Sequence, residues 1–257
     1  MCFGFQRWQA VALACLVIPG FSSGAAEDSN GKGWRKLTSR NSLKNWRLAD
    51  SKAEALADWS ATGRVELNRE NPRLLIAEGG AGSSVFFNGP TGKTKDLYSR
   101  LEHGDMEAHF EFMVAERSNS GIYFMGRYEV QILDSFAREK AGKHDCGAIY
   151  ERWDSKRGKG KEGFEGHPPR VNASRKPGGW QSFDVVFRAP RFDKNGKKVK
   201  NAKFVRVVHN GTLVHENVEV TGPTRGGMDN EVAKGPLRLQ GDHGPVAYRN
   251  IRIRELD

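Results

Sequence analysis

Downstream of Arg64 the chain alternates apolar and polar residues with a period of two. Ala108, Phe110, Phe112 and Val114 fall on one side against Glu107, His109 and Glu111 on the other, and Val185 and Phe187 continue the pattern. Successive side chains leave a strand on opposite faces, so this period predicts half-buried strands. Strands are predicted at Arg64–Asn68, Arg73–Ala77, Ser83–Phe87, Met106–Ala115, Gly121–Met125, Tyr128–Leu133, Gly147–Trp153, Trp180–Ala189, Phe204–His209, Thr212–Val220, Gly235–Gln240 and Val246–Arg254. Asn210-Gly211 sits between two β-branched runs and is the strongest hairpin signal in the chain. No long segment after the N-terminal region has helical period. About a dozen short strands with Gly, Pro and Asn turns predict an all-β fold: one antiparallel β-sandwich of jelly-roll type. The Gly-, Lys- and Pro-rich stretch from Asp154 to Gly179 reads either as a lid over a cleft or as an insertion.

The N-terminus breaks this pattern. Arg7 precedes an apolar run from Trp8 to Phe21, followed by Ser22, Ser23, Gly24, Ala25 and Ala26. That order predicts a secretory signal peptide cleaved near Ala26, with 27–257 as a single exported domain, periplasmic or extracellular. An uncleaved N-terminal anchor is the competing reading. Nothing later in the chain is long and apolar enough to predict a membrane span. Cleavage removes Cys2 and Cys15 and leaves Cys146, which cannot form an internal disulfide and reads as a small buried apolar residue.

The net charge of +10 is concentrated in two runs, Arg152–Lys161 and Arg191–Lys203. Both lack an apolar face and read as solvated loops. Export argues against a nucleic-acid partner, and no aromatic residues interleave the second run for base stacking. Nothing in the sequence sets an oligomeric state.

Candidate chemistry centres on Asn119–Phe136, which reads as two adjacent strands. The second carries Glu129, Gln131 and Asp134 with spacing E-x-Q-x-x-D. Glu129 and Gln131 share one face, while Val130 and Ile132 share the other. A carboxylate beside an amide on a half-greasy strand suits a sugar-binding cleft. Splitting a glycosidic bond commonly uses two carboxyl groups, and Glu129 and Asp134 are the best-placed pair. Positions five apart face opposite sides, so a β-bulge is needed to bring both into one cleft. Asp134 starting a turn and Glu129 pairing with an arginine is the structural alternative. His243, in Gln240-Gly241-Asp242-His243-Gly244, is a candidate acid/base residue or an exposed turn histidine. The candidate substrate-binding residues are Asn119, Tyr123, Arg127, Gln131, Trp180 and Gln240. The histidines show no metal-ligand spacing on a recognisable helix.

Five segments in series carry a resemblance: N-S-G-I-Y-F with Y-E-V-Q-I-L-D-S, then Gly147–Tyr150, Trp180–Val185, His209–Gly211 and Leu239–Ile251. Together they resemble the family long labelled domain of unknown function 1080, described as 3-keto-disaccharide hydrolase or 3-keto-glycoside lyase/hydratase. The resemblance spans essentially the whole predicted mature chain. It implies a concanavalin A-like sandwich common in bacterial envelopes, with a sugar-binding concave face. E-x-Q-x-x-D is also similar to the E-x-D-x-x-E strand of laminarinase- and lichenase-type glucanases, whose outer glutamates act as nucleophile and acid/base. Here Gln131 replaces the middle Asp and Asp134 the last Glu.

A keto group at C3 acidifies the C2 proton, so a base can remove it and expel the C1 substituent, after which water adds back. One general base and an oxyanion stabiliser suffice. The resemblance therefore implies Glu129 as base, with Gln131, Arg127, His243 or a bound divalent metal ion stabilising the enolate. A non-catalytic carbohydrate-binding module and a conventional glucanase remain the alternatives.

Overall fold

The computed structural model describes residues 1, 33–39, 42–49, 59–79 and 84–257. The expected signal peptide, apart from Met1, lies outside these residues. The described chain is almost entirely β, with 19 strands and two short 3-10 turns. Two antiparallel sheets face each other as a concanavalin A-like jelly roll. The front sheet runs in the order Tyr128–Leu133, Asn119–Phe124, Gly235–Leu239, Leu97–His103, Trp46–Leu48. The eight-stranded back sheet is centred on Met106–Val114, which lies between Gln181–Arg188 and Val246–Glu255. Among the described residues no helix is long and apolar enough to cross a membrane.

The alternating pattern is what joins the sheets. Ala108, Phe110, Phe112, Phe183, Val185 and Phe187 from the back meet Ile122, Phe124, Val130 and Leu237 from the front, and none exceeds 1% exposure. Each buried phenylalanine contributes roughly 1.5–3 kcal/mol on the transfer scale. Phe124 lies edge-on to Phe110 and Phe204, with ring centroids 6.0 and 5.3 Å apart. The hairpin Arg64–Leu67 with Leu75–Glu78 covers part of the outer face of the back sheet. There Val65, Leu75, Val85, Phe87, Met113 and Ala247 form a second core.

The predicted hairpin at Asn210-Gly211 forms, with φ of 50° and 81°, the paired positive values of a type I′ turn. Other expectations change. Gly147–Trp153 is mostly not a strand. Gly147 has φ 85°, and the segment runs irregularly along the edge of Tyr128–Leu133, which it supplies with hydrogen bonds: Gln131 N to Ala148 O, Gly147 N to Gln131 O and Tyr150 N to Glu129 O. Only Arg152–Trp153 pairs as a strand, with Gly163–Phe164. Leu97–His103 is an interior strand of the front sheet that the sequence does not announce, because the polar Ser99 and His103 occupy its buried face beside Leu97 and Leu101.

The 154–179 stretch is strapped down along its length. His167 N donates to Ile149 O, Arg170 N to Val214 O, Gly178 N to Val114 O, and the Asn172 amide to the carbonyls of Ser135 and Arg138. Cys146 is buried, and burial pushes its thiol up to about 12, in keeping with a core residue. The basic runs are partly neutralised by local partners. Arg191 bonds Asp105 at 2.6 Å, Lys198 pairs with Glu231, and Arg152 and Arg157 lie over the Phe164 ring.

One buried side chain ties the fold to the loop carrying His243. The amide of Asn88 donates to the carbonyls of Gly241 and Gly244 at 2.9 and 3.0 Å and accepts from Val246 N at 2.8 Å. Asn88→Ala leaves the Gly244 carbonyl and the Val246 N–H without this partner, while the Gly241 carbonyl keeps Thr94. It is expected to cost roughly 2–4 kcal/mol in chemical denaturation. Asn88→Asp keeps the acceptor but turns a carboxylate oxygen toward both carbonyls, so it should cost at least as much as Asn88→Ala.

Candidate active site

The hairpin Asn119–Phe124/Tyr128–Leu133 is in plain register, with Glu129 opposite Tyr123, Gln131 opposite Gly121 and Leu133 opposite Asn119. Ile122, Phe124, Val130 and Ile132 fill the core side, so Asn119, Tyr123, Glu129 and Gln131 emerge on the concave side. There they line a cleft of about 340 Å³ with Tyr150, Arg225, Gly226, Arg238, Gln240, Asp242 and His243.

Glu129 is its centre. The residue is only 2% exposed, and its carboxyl lies over Gly121, where a Cβ would stand 2.1 Å from Oε1. Burial pushes its pKa up to about 8, against the lowering influence of the Tyr123 hydroxyl and the Arg238 guanidinium; Asp96 and Asp242 push it further up. Glu129 Oε2, Gln131 Oε1, Asn119 Oδ1 and Gln240 Oε1 are buried without hydrogen-bond partners. Buried polar atoms are normally paired, so four clustered acceptors define a surface complementary to a ligand rich in hydroxyl donors. Three larger grooves, of about 660, 650 and 480 Å³, lie along Arg188–Lys203, beside Trp180 and beside Trp59, and none of the residues lining them carries an unpartnered buried acceptor.

The walls are fixed from several directions. Ser120 Oγ, on the core side, bonds Gln240 O and the Tyr248 hydroxyl, each at 2.8 Å. Asp96 accepts from Gly241 N at 2.8 Å and from Arg238 Nε at 2.6 Å. His243 uses Nδ1 to contact the Asp242 carboxylate, and its side chain is half exposed. Such a carboxylate contact orients an imidazole and selects its tautomer. Arg225 is anchored through its backbone N to Glu151 O at 2.7 Å, and its guanidinium lies 3.9 Å over the Trp153 ring.

Six candidates from the sequence meet here: Glu129, Gln131, Asn119, Tyr123, Gln240 and His243. Three do not. Asp134 lies past the end of its strand, where Oδ2 accepts from Arg117 N at 2.9 Å; the register carries no bulge to turn it into the cleft. Arg127 is a structural tie, donating to Asn230 O, Met125 O and Asp229 O at 2.9, 2.7 and 3.2 Å. Trp180 packs with the second core under Arg249, whose guanidinium is 4.0 Å from its ring.

Sequence reasoning missed Arg238, Asp96, Tyr150, Arg225, Asp242 and the carboxyl-seating role of Gly121. The loop residues carry no periodic signal. Arg238 had one, since it occupies the polar phase of Gly235–Leu239. Among the described residues no group of three or more His, Cys, Asp or Glu side chains is arranged to hold a metal ion, so the divalent metal considered from the sequence finds no such cluster.

Two packed antiparallel sheets with a polar concave cleft make this a concanavalin A-like sandwich. The sequence matches the family described as 3-keto-alpha-glucoside-1,2-lyase-like domain over residues 30–254, and the chain belongs to that family. Among solved structures, a "putative glycosyl hydrolase" from Parabacteroides distasonis is similar at 26% identity and a TM-score of 0.64, covering 88% of this chain and 84% of that one. A second structure of that description, from the same organism, is 12% identical, with a TM-score of 0.57 and coverage of 88% and 95%. A third is 19% identical, with a TM-score of 0.55 and coverage of 87% and 99%. The last two show the fold alone. No curated protein gives a significant match. Family and neighbours together indicate a carbohydrate-active enzyme of glycosidase or lyase type.

Two outcomes test the site's geometry without naming a substrate. Gly121→Ala should leave the fold intact but displace the Glu129 carboxyl. An ångström-scale displacement is expected to cost roughly 100-fold in kcat/KM. Glu129→Gln probes the buried charge. A carboxyl whose folded pKa is raised contributes stability present below its ordinary value of 4.5 and lost as pH rises through about 8. The melting temperature of Glu129→Gln should therefore gain on wild type between about pH 5 and pH 8 in differential scanning fluorimetry. A constant gap would contradict the raised pKa.

Proposed function

We propose that this protein is exported and cleaves a 3-keto-glycoside at the concave cleft by elimination, with Glu129 as general base, followed by addition of water. The observation that carries the reading is a single buried carboxyl of raised pKa, seated on Gly121 and ringed by unpartnered acceptors. Those acceptors suit sugar hydroxyls. A carboxylate with a conjugate acid near 8 is a far stronger base than an ordinary one, which the abstraction of a carbon-bound proton requires.

In the step proposed, the carboxylate of Glu129 takes the C2 proton. The C2–H electron pair forms the C1–C2 double bond by way of the enolate, and the C1–O bond breaks. His243, oriented by Asp242, protonates the departing oxygen. Arg225 faces the negative charge that develops on the C3 oxygen, while the open amide oxygens of Asn119 and Gln131 accept from sugar hydroxyls. Water then adds across the double bond to give the free 3-keto sugar.

The classical double displacement suggested by E-x-Q-x-x-D is disfavoured, because its second carboxyl, Asp134, is turned away and bonded to Arg117 N. A binding module without catalysis has no need of a buried carboxyl whose ionisation costs roughly 5 kcal/mol, the equivalent of its shift from 4.5 to about 8.

Assays on 3-keto-trehalose and trehalose should show cleavage of the keto sugar alone. Glu129→Gln should lower kcat by roughly 100- to 10,000-fold while keeping saccharide binding. Deuterium at C2 should slow the reaction, and kcat/KM should rise with pH through a limb near 8, because the ionised form is the active one. A limb that falls there would make Glu129 an acid. Cleavage of trehalose with no isotope effect at C2 would remove the elimination reading altogether.

A further inference from the structure

Glu129 has a cation two strands away and is not bonded to it. The registers align Glu129 with Tyr123, Tyr123 with Arg238, Arg238 with Tyr98, and Tyr98 with Arg47, a single row across the front sheet. The Arg238 guanidinium stands 4.3 Å from the Tyr123 ring centroid and 5.7 Å from that of Tyr98. Its hydrogen-bonding edges are in use. Nε reaches Asp96 Oδ2 at 2.6 Å, Nη2 reaches the same oxygen at 2.5 Å, and Nη1 donates to the carbonyl of Gly226. The two side chains are only 12% and 9% exposed. A buried ion pair therefore sits beside a buried carboxyl that keeps one oxygen unpartnered.

We propose that Asp96 is a positioning residue that engages Arg238 and withholds it from Glu129, leaving the Glu129 carboxylate free to accept a proton. This rests on the reading of Glu129 as the base. Two carboxylates compete for one guanidinium, and the competition has a chemical consequence. Bonded directly to Arg238, Glu129 would fall toward or below the ordinary carboxylate range and be a poor base. With no cation nearby, it would be a buried carboxyl flanked by two aspartates and would hold its proton still more tightly. With Arg238 engaged by Asp96, the cation acts on Glu129 only across the Tyr123 ring.

Every element around Glu129 contributes to this balance. Tyr123 faces it from the neighbouring strand, Arg238 from the next, Tyr150 from the segment along the sheet edge, and Tyr248 from the back sheet; Asp96 and Asp242 act from the loops. Arg225 and His243 line the same cleft.

The proposal makes paired substitutions act in opposite directions. Asp96→Asn keeps an acceptor for Gly241 N but releases Arg238, so the Glu129 titration should move to lower pH. Arg238→Gln should move it to higher pH. Each shift should be about one pH unit or more, the usual effect of one nearby charge. Arg238→Lys retains the charge and should return the midpoint toward wild type.

The readout is carboxyl NMR of the full chain labelled with 13C-glutamate, without substrate, the Glu129 signal being identified by its absence in Glu129→Gln. The pH profile of kcat/KM on 3-keto-trehalose is measured alongside. Cooperative unfolding of each variant checks the fold, and the two Arg238 variants alone still read the sign if Asp96→Asn fails to fold. Opposite NMR shifts support the proposal. Shifts of the same sign, or none, overturn it whatever the rates do. Opposite NMR shifts with an unmoved rate profile would uphold the hold of the pair on Glu129 and overturn Glu129 as the base.

Discussion

The cleft depends on the core side of one hairpin. Ile122, Phe124, Val130 and Ile132 are fully buried against the phenylalanines of the back sheet, and this fixes the register of Asn119–Phe124 with Tyr128–Leu133. With a side-chain period of two, a slip by one residue would send the core set outward and the polar set inward. The cost of such a slip, roughly 1.5–3 kcal/mol for each displaced aromatic or aliphatic side chain, holds Glu129, Gln131 and Tyr123 on the concave side. The cleft carboxyl and amides are thus built on a hairpin whose other face is fully buried, and their partners come from the neighbouring strand and the surrounding loops.

The same hairpin shows how the sheet accommodates a feature that destabilises it. Its outer edge is covered by the irregular 147–150 segment, whose backbone completes the hydrogen bonding of Tyr128–Leu133 and brings Tyr150 to the cleft. Its turn carries Met125 at φ 55°, with Met125 N bonded to Nε2 of the buried His103 and Arg127 tying the turn to residues 229 and 230. Burial holds His103 near a pKa of 4, so it remains a neutral acceptor at physiological pH. These ties compensate for a carboxyl that would ionise more easily in water. Such an unfavourable burial makes physical sense where a strong base is needed and little sense for structure alone.

Charge in the cleft is arranged so that attraction stops short of neutralisation. Arg238 is close enough to influence Glu129 but spends its hydrogen bonds on Asp96 and Gly226. Asp242 is turned to His243, and Arg225 rests on the Trp153 ring. Each ionisable wall residue has a fixed companion, which leaves the amide and carboxyl oxygens of the sheet as the groups still open to a ligand.

The alternating pattern determined the fold class and the sharing of one face by Glu129 and Gln131, because strand geometry converts sequence parity directly into sidedness, and Asn210-Gly211 determined the type I′ hairpin. Its motifs also led to the family. Parity failed where the backbone leaves regular pairing. Gly147–Tyr150 has strand-like composition but opens on a positive-φ glycine, and Leu97–His103 carries the polar Ser99 and His103 on its buried face. Asp134 shares a motif with Glu129 but belongs to a turn, and Trp180 reached the opposite face of the molecule. Only the tertiary structure could bring Asp96, Arg225, Arg238 and Asp242 to Glu129, since the strand order places distant segments side by side. The raised pKa of Glu129 was likewise decided there, because desolvation depends on what packs around a carboxyl and not on its neighbours in sequence.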